Sequence, residues 1–130
     1  LQAVGIRARL NLMQVAAQIQ RSQRGELTLG MGSWGSYSIH DVSAFLPQWF
    51  AGGNEDYARD QQVIDLVNEG GNSADEAVRK RAYDAAIKRI TEQAYFVPLH
   101  TYVNTYAFQR QLEFKTYADE LPRFYLAKWK

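Results

Sequence analysis

Ile6-Arg7-Ala8-Arg9-Leu10-Asn11-Leu12, then residues 14–24, then Glu26-Leu27-Thr28-Leu29-Gly30-Met31-Gly32 form the stretch on which the fold reading turns. In the first segment Ile6, Ala8, Leu10 and Leu12 alternate with Arg7, Arg9 and Asn11, the period-2 pattern of a strand with one buried face. Val15, Ala16 and Ile19 then recur at helical spacing among glutamines and arginines, and Gly25 closes that segment. Leu27, Leu29 and Met31 alternate with small partners and predict a second strand over 26–32. Strand, helix and strand within about 30 residues is the pattern of a βαβ unit, with parallel pairing and a right-handed crossover.

Directly after the second predicted strand comes a loop of glycines, serines and large aromatics, Gly32-Ser33-Trp34-Gly35-Ser36-Tyr37. Glycine lets backbone approach a guest closely, while Trp34 and Tyr37 offer flat apolar faces with a polar tip. No cysteine or dense cluster of acids and histidines lies nearby, so the loop suits holding a molecule better than transforming one. Its place at a strand's carboxyl end is the usual ligand position in open α/β sheets.

Asp41 can cap a short apolar helix from Val42 to Phe50, in which Pro47 predicts a kink or partial irregularity. Residues 51–56 read as a turn-rich surface loop. Asp60 is the expected N-cap of a helix carrying Val63, Ile64, Leu66 and Val67, ended by Gly70-Gly71. Ser73-Ala74-Asp75-Glu76 has the pattern of a capping box for a helix reaching about Ala94, with Val78, Ala82, Ala86 and Ile90 on one stripe. Tyr95 to Arg110 reads as β-rich, broken by Pro98, and Leu112 to Tyr117 and Phe124 to Trp129 as further short strands. An α/β fold with a mixed sheet flanked by helices fits this order.

Composition restricts the function classes. At 130 residues, 46% hydrophobic and 22% charged, the chain is ordinary for one globular domain with a core. A net charge of +1 with scattered basic residues argues against a nucleic-acid surface, which needs clustered Lys and Arg. The local run Arg79-Lys80-Arg81 sits among acids and is expected to be a solvated helix face. Absence of cysteine removes disulfides, thiol catalysis and Cys-based zinc sites. No apolar run approaches the ~20 residues of a membrane span. Leu1 to Ile6 reads as a helix end, a Gly5 stop and entry to a strand, which leads us to expect a longer parent chain.

Other chemistries fit less well. Gly30-Met31-Gly32-Ser33-Trp34-Gly35 matches G-x-G-x-x-G formally, but dinucleotide binding needs a helix to begin within the motif, and helical pattern resumes only near Asp41. Two histidines without cysteine are too few for zinc unless carboxylates complete the set. His100, in an apolar and aromatic segment, is expected as a hydrogen-bonded core histidine. His40, beside the loop, reads equally as a ligand contact or a polar helix entry. Serines 33, 36 and 38 lack the G-x-S-x-G elbow of a hydrolase. Tyr95, Phe96, Tyr102, Tyr106 and Phe108 are expected to build sheet packing. A Ser/His or His/Asp hydrolase, or a self-standing interaction domain, stands as the alternative.

Taken in order, the pieces resemble the carboxy-terminal part of the dipeptide/oligopeptide/nickel class (family 5) of solute-binding proteins of ABC importers. Carrying the resemblance are L-Q-A-V-G-I-R-A-R-L over Leu1 to Leu10, Gly32-Ser33-Trp34-Gly35, and Phe45-Leu46. The helix pair 60–70 and 73–94 and the closing Val97-Pro98-Leu99-His100 complete it. Order and spacing are specific together, although no single motif is. The resemblance implies one lobe, residues 1–130, of a two-lobed receptor with a type II periplasmic binding protein-like fold. Such a receptor is extracytoplasmic, closes over a small-molecule or peptide-like solute without chemistry, and docks on permease subunits in the membrane. Its other wall would come from an amino-terminal lobe of the same protein, and no cofactor, metal or nucleic acid is implied. By position, the solute contacts would be Trp34, Gly35, Ser36, Tyr37, Ser38, His40 and Asp41. Peptide-binding members commonly carry an aspartate two or three residues after that tryptophan, pairing with the peptide amine. Here those positions are Ser36 and Tyr37, and Asp41 is the first acid.

Overall fold

The computed structural model describes residues 1–35, 39–119 and 121–130, which divide into two compact units, Leu1–Met31 and Gly32–Lys130. In the first unit a 3₁₀ turn, Gln2–Val4, ends at Gly5 in the left-handed conformation (φ 81°), as a helix stop should. Helix α1, Val15–Gln23, forms where the helical spacing predicts it. It stops at Gly25 (φ 70°), with Gly25 N–H donating to Ser22 O and Glu26 N–H to Arg21 O. Gln18 Nε2 reaches across to Met31 O at 2.9 Å.

The two flanking segments correct the βαβ expectation. Residues 6–12 and 26–32 run as coil and join no ladder. A strand is stable only when a neighbour satisfies its backbone and covers its apolar face. Neither is supplied here: Leu10 is 87% exposed and Leu12 91%. Alternation marks a segment as able to be a strand, but the partner decides whether it becomes one.

The second unit is organised by helices. Asp41 caps a 3₁₀ turn, Val42–Ala44, by accepting from Ser43 N–H at 2.8 Å. The chain breaks at Phe45 and resumes as α2, Leu46–Phe50, with Pro47 in its first turn, where the missing N–H has no intrahelical partner anyway. Helices α3, Gln61–Asn72, and α4, Glu76–Glu92, are joined by three residues and pack as an αα-hairpin. Leu46, Phe50, Val63, Val67, Tyr83, Ala86 and Ile90 form its core, and Phe96 closes over Phe45, Trp49 and Phe50 at ring distances of 5.6, 6.3 and 6.3 Å.

Two helix boundaries differ from the sequence reading for clear reasons. Gly70-Gly71 does not end α3, which continues to Asn72. Gly70 instead is a packing slot: a Cβ there would lie 2.8 Å from Cε1 and Cζ of the Tyr83 ring. The capping box is replaced by Asp75, whose carboxylate accepts from Ala77 and Val78 N–H, while Ser73 Oγ accepts from Asp75 N–H. A carboxylate two residues closer to the helix wins over the hydroxyl because its charge also complements the helix dipole.

Two acids order the loops around the hairpin. Asp56 lies in the loop read as surface yet is 1% exposed, accepting from Gly52 and Arg59 N–H, each at 2.9 Å. Asp60 caps α3 as expected and also takes Arg89 Nε at 2.7 Å and the Tyr95 hydroxyl at 2.9 Å. Burial pushes the Asp60 carboxyl up, but hydrogen bonds from Arg89, Tyr95 and Val63 N–H, together with the Arg89 charge, hold it below its usual range.

After α4 the predicted β-rich stretch 95–110 is coil, and among the described residues its aromatics join no sheet. His100 is exposed, against the expectation of a core histidine, with its ring edge-on to Tyr102 at 5.4 Å. Among the described residues the ladder is one antiparallel pair, β1, Leu112–Glu113, against β2, Lys128–Trp129. Phe114 gathers Tyr106, Phe108 and Phe124 beside it.

Gly70→Ala should destabilise the chain by about 1–3 kcal/mol through overpacking against Tyr83, read from urea unfolding. Tyr83→Phe should change stability by less than about 0.5 kcal/mol, because the Tyr83 hydroxyl is buried without a hydrogen-bond partner. For the cap, Asp75→Ala should lose about 1 kcal/mol and Ser73→Ala clearly less. The reverse order in thermal melts would restore Ser73 as the N-cap.

Candidate functional site

The aromatic loop and the α4 helix meet around the 3₁₀ turn Val42–Ala44. Trp34 is anchored there: its indole N–H donates to Ala44 O at 2.8 Å, and its ring stands edge-on to Trp49 at 5.9 Å and 81°. Trp34 is nonetheless 46% exposed. Its one donor is therefore committed to the backbone, and what it presents outward is an apolar π surface. Ser36, Tyr37 and Ser38, expected as contacts, lie outside the described residues, while Gly35 is half-buried and His40 and Asp41 are exposed.

On the other side of the turn, His40, Asp41 and Val42 form one wall of an open trough of about 520 Å³. The second wall is a single face of α4, where Glu76, Lys80, Asp84 and Ile87 run beside Arg79 and Tyr83. Those spacings of three, four and seven residues put the side chains on one side of the helix. Sequence reading found His40 and Asp41 but not the α4 wall, because the core stripe of α4 masks the polar stripe next to it. The charge run 79–81 was the available signal.

Arg79 is the side chain that makes the trough a unit, which corrects its reading as a solvated residue. Its guanidinium donates to Gly70 O at 2.8 Å and Ser73 O at 3.3 Å, satisfying carbonyls at the end of α3. It also donates to Asp41 Oδ1 at 2.6 Å and lies 5.4 Å from the Tyr83 ring centre. Lys80 and Arg81 do behave as solvated residues, paired with Asp84 at 2.8 Å and Glu69 at 3.9 Å while remaining largely exposed.

The Ser43 hydroxyl and amide, then Arg79, hold the Asp41 carboxyl down at about 2, against a small opposing push from burial. It is thus ionised throughout the neutral range and already matched by a guanidinium. Neither His40 nor His100 hydrogen-bonds a serine or an acid among the described residues. Among the described residues the first helical turn after Gly30–Gly35 begins at Val42, whereas a pyrophosphate cradle needs a helix to begin within the motif. Among the described residues no group of three metal-ligating side chains occurs, and no helix is long and apolar enough to cross a membrane.

Comparison with known proteins found no matching family model, no curated relative and no similar solved structure.

Because the folded Asp41 carboxyl lies near 2 and its ordinary value is 3.8, its contribution to stability is complete above about pH 4. It falls away as pH drops towards 2, since the unfolded chain then binds the proton first. Asp41→Asn should therefore flatten the acid limb of a melting-temperature profile between pH 2 and 5 while leaving the profile above pH 5 parallel to wild type. An unchanged acid limb would mean that the Asp41–Arg79 pair does not hold in solution.

Proposed function

We propose that the chain captures a small solute for an ABC importer, as one lobe of a two-lobed extracytoplasmic receptor with a type II periplasmic binding protein-like fold. The single observation that carries the reading is Trp34. It is a large aromatic ring pinned through its N–H and against Trp49, yet open on one face. An aromatic held rigidly and left half exposed is an arrangement for stacking on a guest, with little entropy left to lose on binding. The ordered resemblance of the whole chain to family 5 receptors supports the same conclusion.

In this reading the trough is one wall of a cleft, and closure of an opposing lobe excludes water and strengthens the polar contacts. The apolar alternation of residues 6–12 and 26–32 belongs to the mixed sheet of such a lobe, where neighbouring strands would cover it.

Native mass spectrometry of the purified protein, with and without denaturation, should release a retained solute. Titration of that solute should then show Trp34→Ala binding roughly tenfold more weakly, about what loss of one stacked aromatic face is worth. Absence of any retained or titratable solute would overturn capture, and full affinity in Trp34→Ala would remove the ring from the site.

A further inference from the structure

Trp34 is held by a linkage that begins on α4. Among the described residues its ring has two anchors, the Trp49 ring and the carbonyl of Ala44, which accepts the indole N–H at 2.8 Å. The hydrogen bond weakens steeply off its axis, so it fixes the angle at which the ring face is presented. Ala44 O keeps its direction only while the 3₁₀ turn keeps its shape, and Asp41 holds that shape twice. Its backbone carbonyl accepts from Ala44 N–H at 3.1 Å, and its carboxylate accepts from Ser43 N–H at 2.8 Å. A three-residue turn satisfies little of its own backbone, so its cap decides whether it persists. The capping carboxylate is fixed in turn by Arg79, whose Nη2 donates to Asp41 Oδ1 at 2.6 Å. The other terminal nitrogen of Arg79 is committed to Gly70 O and Ser73 O, at 2.8 and 3.3 Å, which ties the guanidinium to the end of α3.

Resting on the solute-capture reading, we infer that Arg79 is a positioning residue for Trp34: through Asp41 and the Ala44 carbonyl it sets the angle and rigidity of the ring face offered to the solute. The geometry of the guanidinium is what the linkage needs. Three oxygens on two segments of chain surround one planar group, and a lysine ammonium in its place is a point donor that cannot reach the partners of both nitrogens. Arg79→Lys therefore keeps the charge and releases the linkage. A loosened indole has to be ordered again when a guest stacks on it, and that cost falls on affinity. Arg89 is the internal contrast. It makes the matching bond to Asp60 Oδ2 at 2.7 Å, where it joins α4 to the start of α3 and not to the 3₁₀ turn.

The chain holds three tryptophans, so a heteronuclear NMR spectrum of the full chain has three indole N–H signals, assigned with Trp34→Phe and Trp49→Phe. Solvent exchange of the Trp34 indole N–H should accelerate about tenfold in Arg79→Lys, the scale of one charge-assisted hydrogen bond. Asp41→Asn, which keeps an acceptor oxygen and loses the charge, should accelerate it about threefold or more. The double variant should stay within about twofold of Arg79→Lys alone, because both changes open the same linkage. Arg89→Lys, which loosens the far end of the hairpin, should leave the Trp34 rate within about twofold of wild type. Unchanged exchange in Arg79→Lys or Asp41→Asn overturns the inference, as do multiplying effects in the double variant or equal acceleration in Arg89→Lys. Should Arg79→Lys fail to fold, Asp41→Asn still decides the matter, since it alters an exposed side chain without changing its size. Every rate is read on the protein alone, so the linkage can fail while solute capture stands. Absence of any retained or titratable solute would overturn capture, and with it the purpose assigned to the linkage, whatever the rates.

Discussion

The Arg79 guanidinium joins three parts of the second unit. It closes the carboxyl end of α3 by bonding Gly70 O and Ser73 O, sits over Tyr83, and fixes Asp41 at the entry to the 3₁₀ turn. That turn carries Ala44, whose carbonyl holds Trp34. The position of the aromatic ring thus traces back, through four residues of backbone, to one cation on α4. A planar group with several donors in fixed directions is needed for this, and lysine would not reproduce it.

Around that link the hairpin is built on close approach. Tyr83 packs into the space left by the missing Cβ of Gly70, and Ala82 and Ala86 keep α4 near α3. Asp60 performs the matching task at the other end, joining the start of α3 to Arg89 near the end of α4 and to Tyr95 beyond it. The hairpin is pinned at both ends by a charge-assisted hydrogen bond, with apolar burial between them. Trp34 and the trough rest on this helical platform, and rigidity there favours a binding surface over a mobile loop.

Legibility in the sequence followed how local each interaction is. The Asp41 and Asp60 caps, the Gly5 and Gly25 stops and the interruption before Pro47 depend on neighbours within a few residues, and these were read directly. Ser73 against Asp75 was missed because two competent caps lie two residues apart, and the choice depends on where α4 begins. Gly70-Gly71 was read as a stop because glycine ends helices, when Tyr83, thirteen residues on from Gly70, was its reason. Arg79 looked like surface charge because its partners, Asp41 and Gly70 O, are distant in sequence.

Alternation of Ile6 to Leu12 and Leu27 to Met31 is intrinsic to the chain, as are the amphipathic stripes of α3 and α4 and the aromatic loop. These follow from side-chain order alone, since period and capping need no distant partner. Tertiary structure decided whether each pattern is used: the helices satisfy their own backbones and fold, while the extended segments stay unpaired. It also decided that Trp34 presents a face rather than a donor and that Asp41 is matched by Arg79, because both facts depend on groups brought together only by folding.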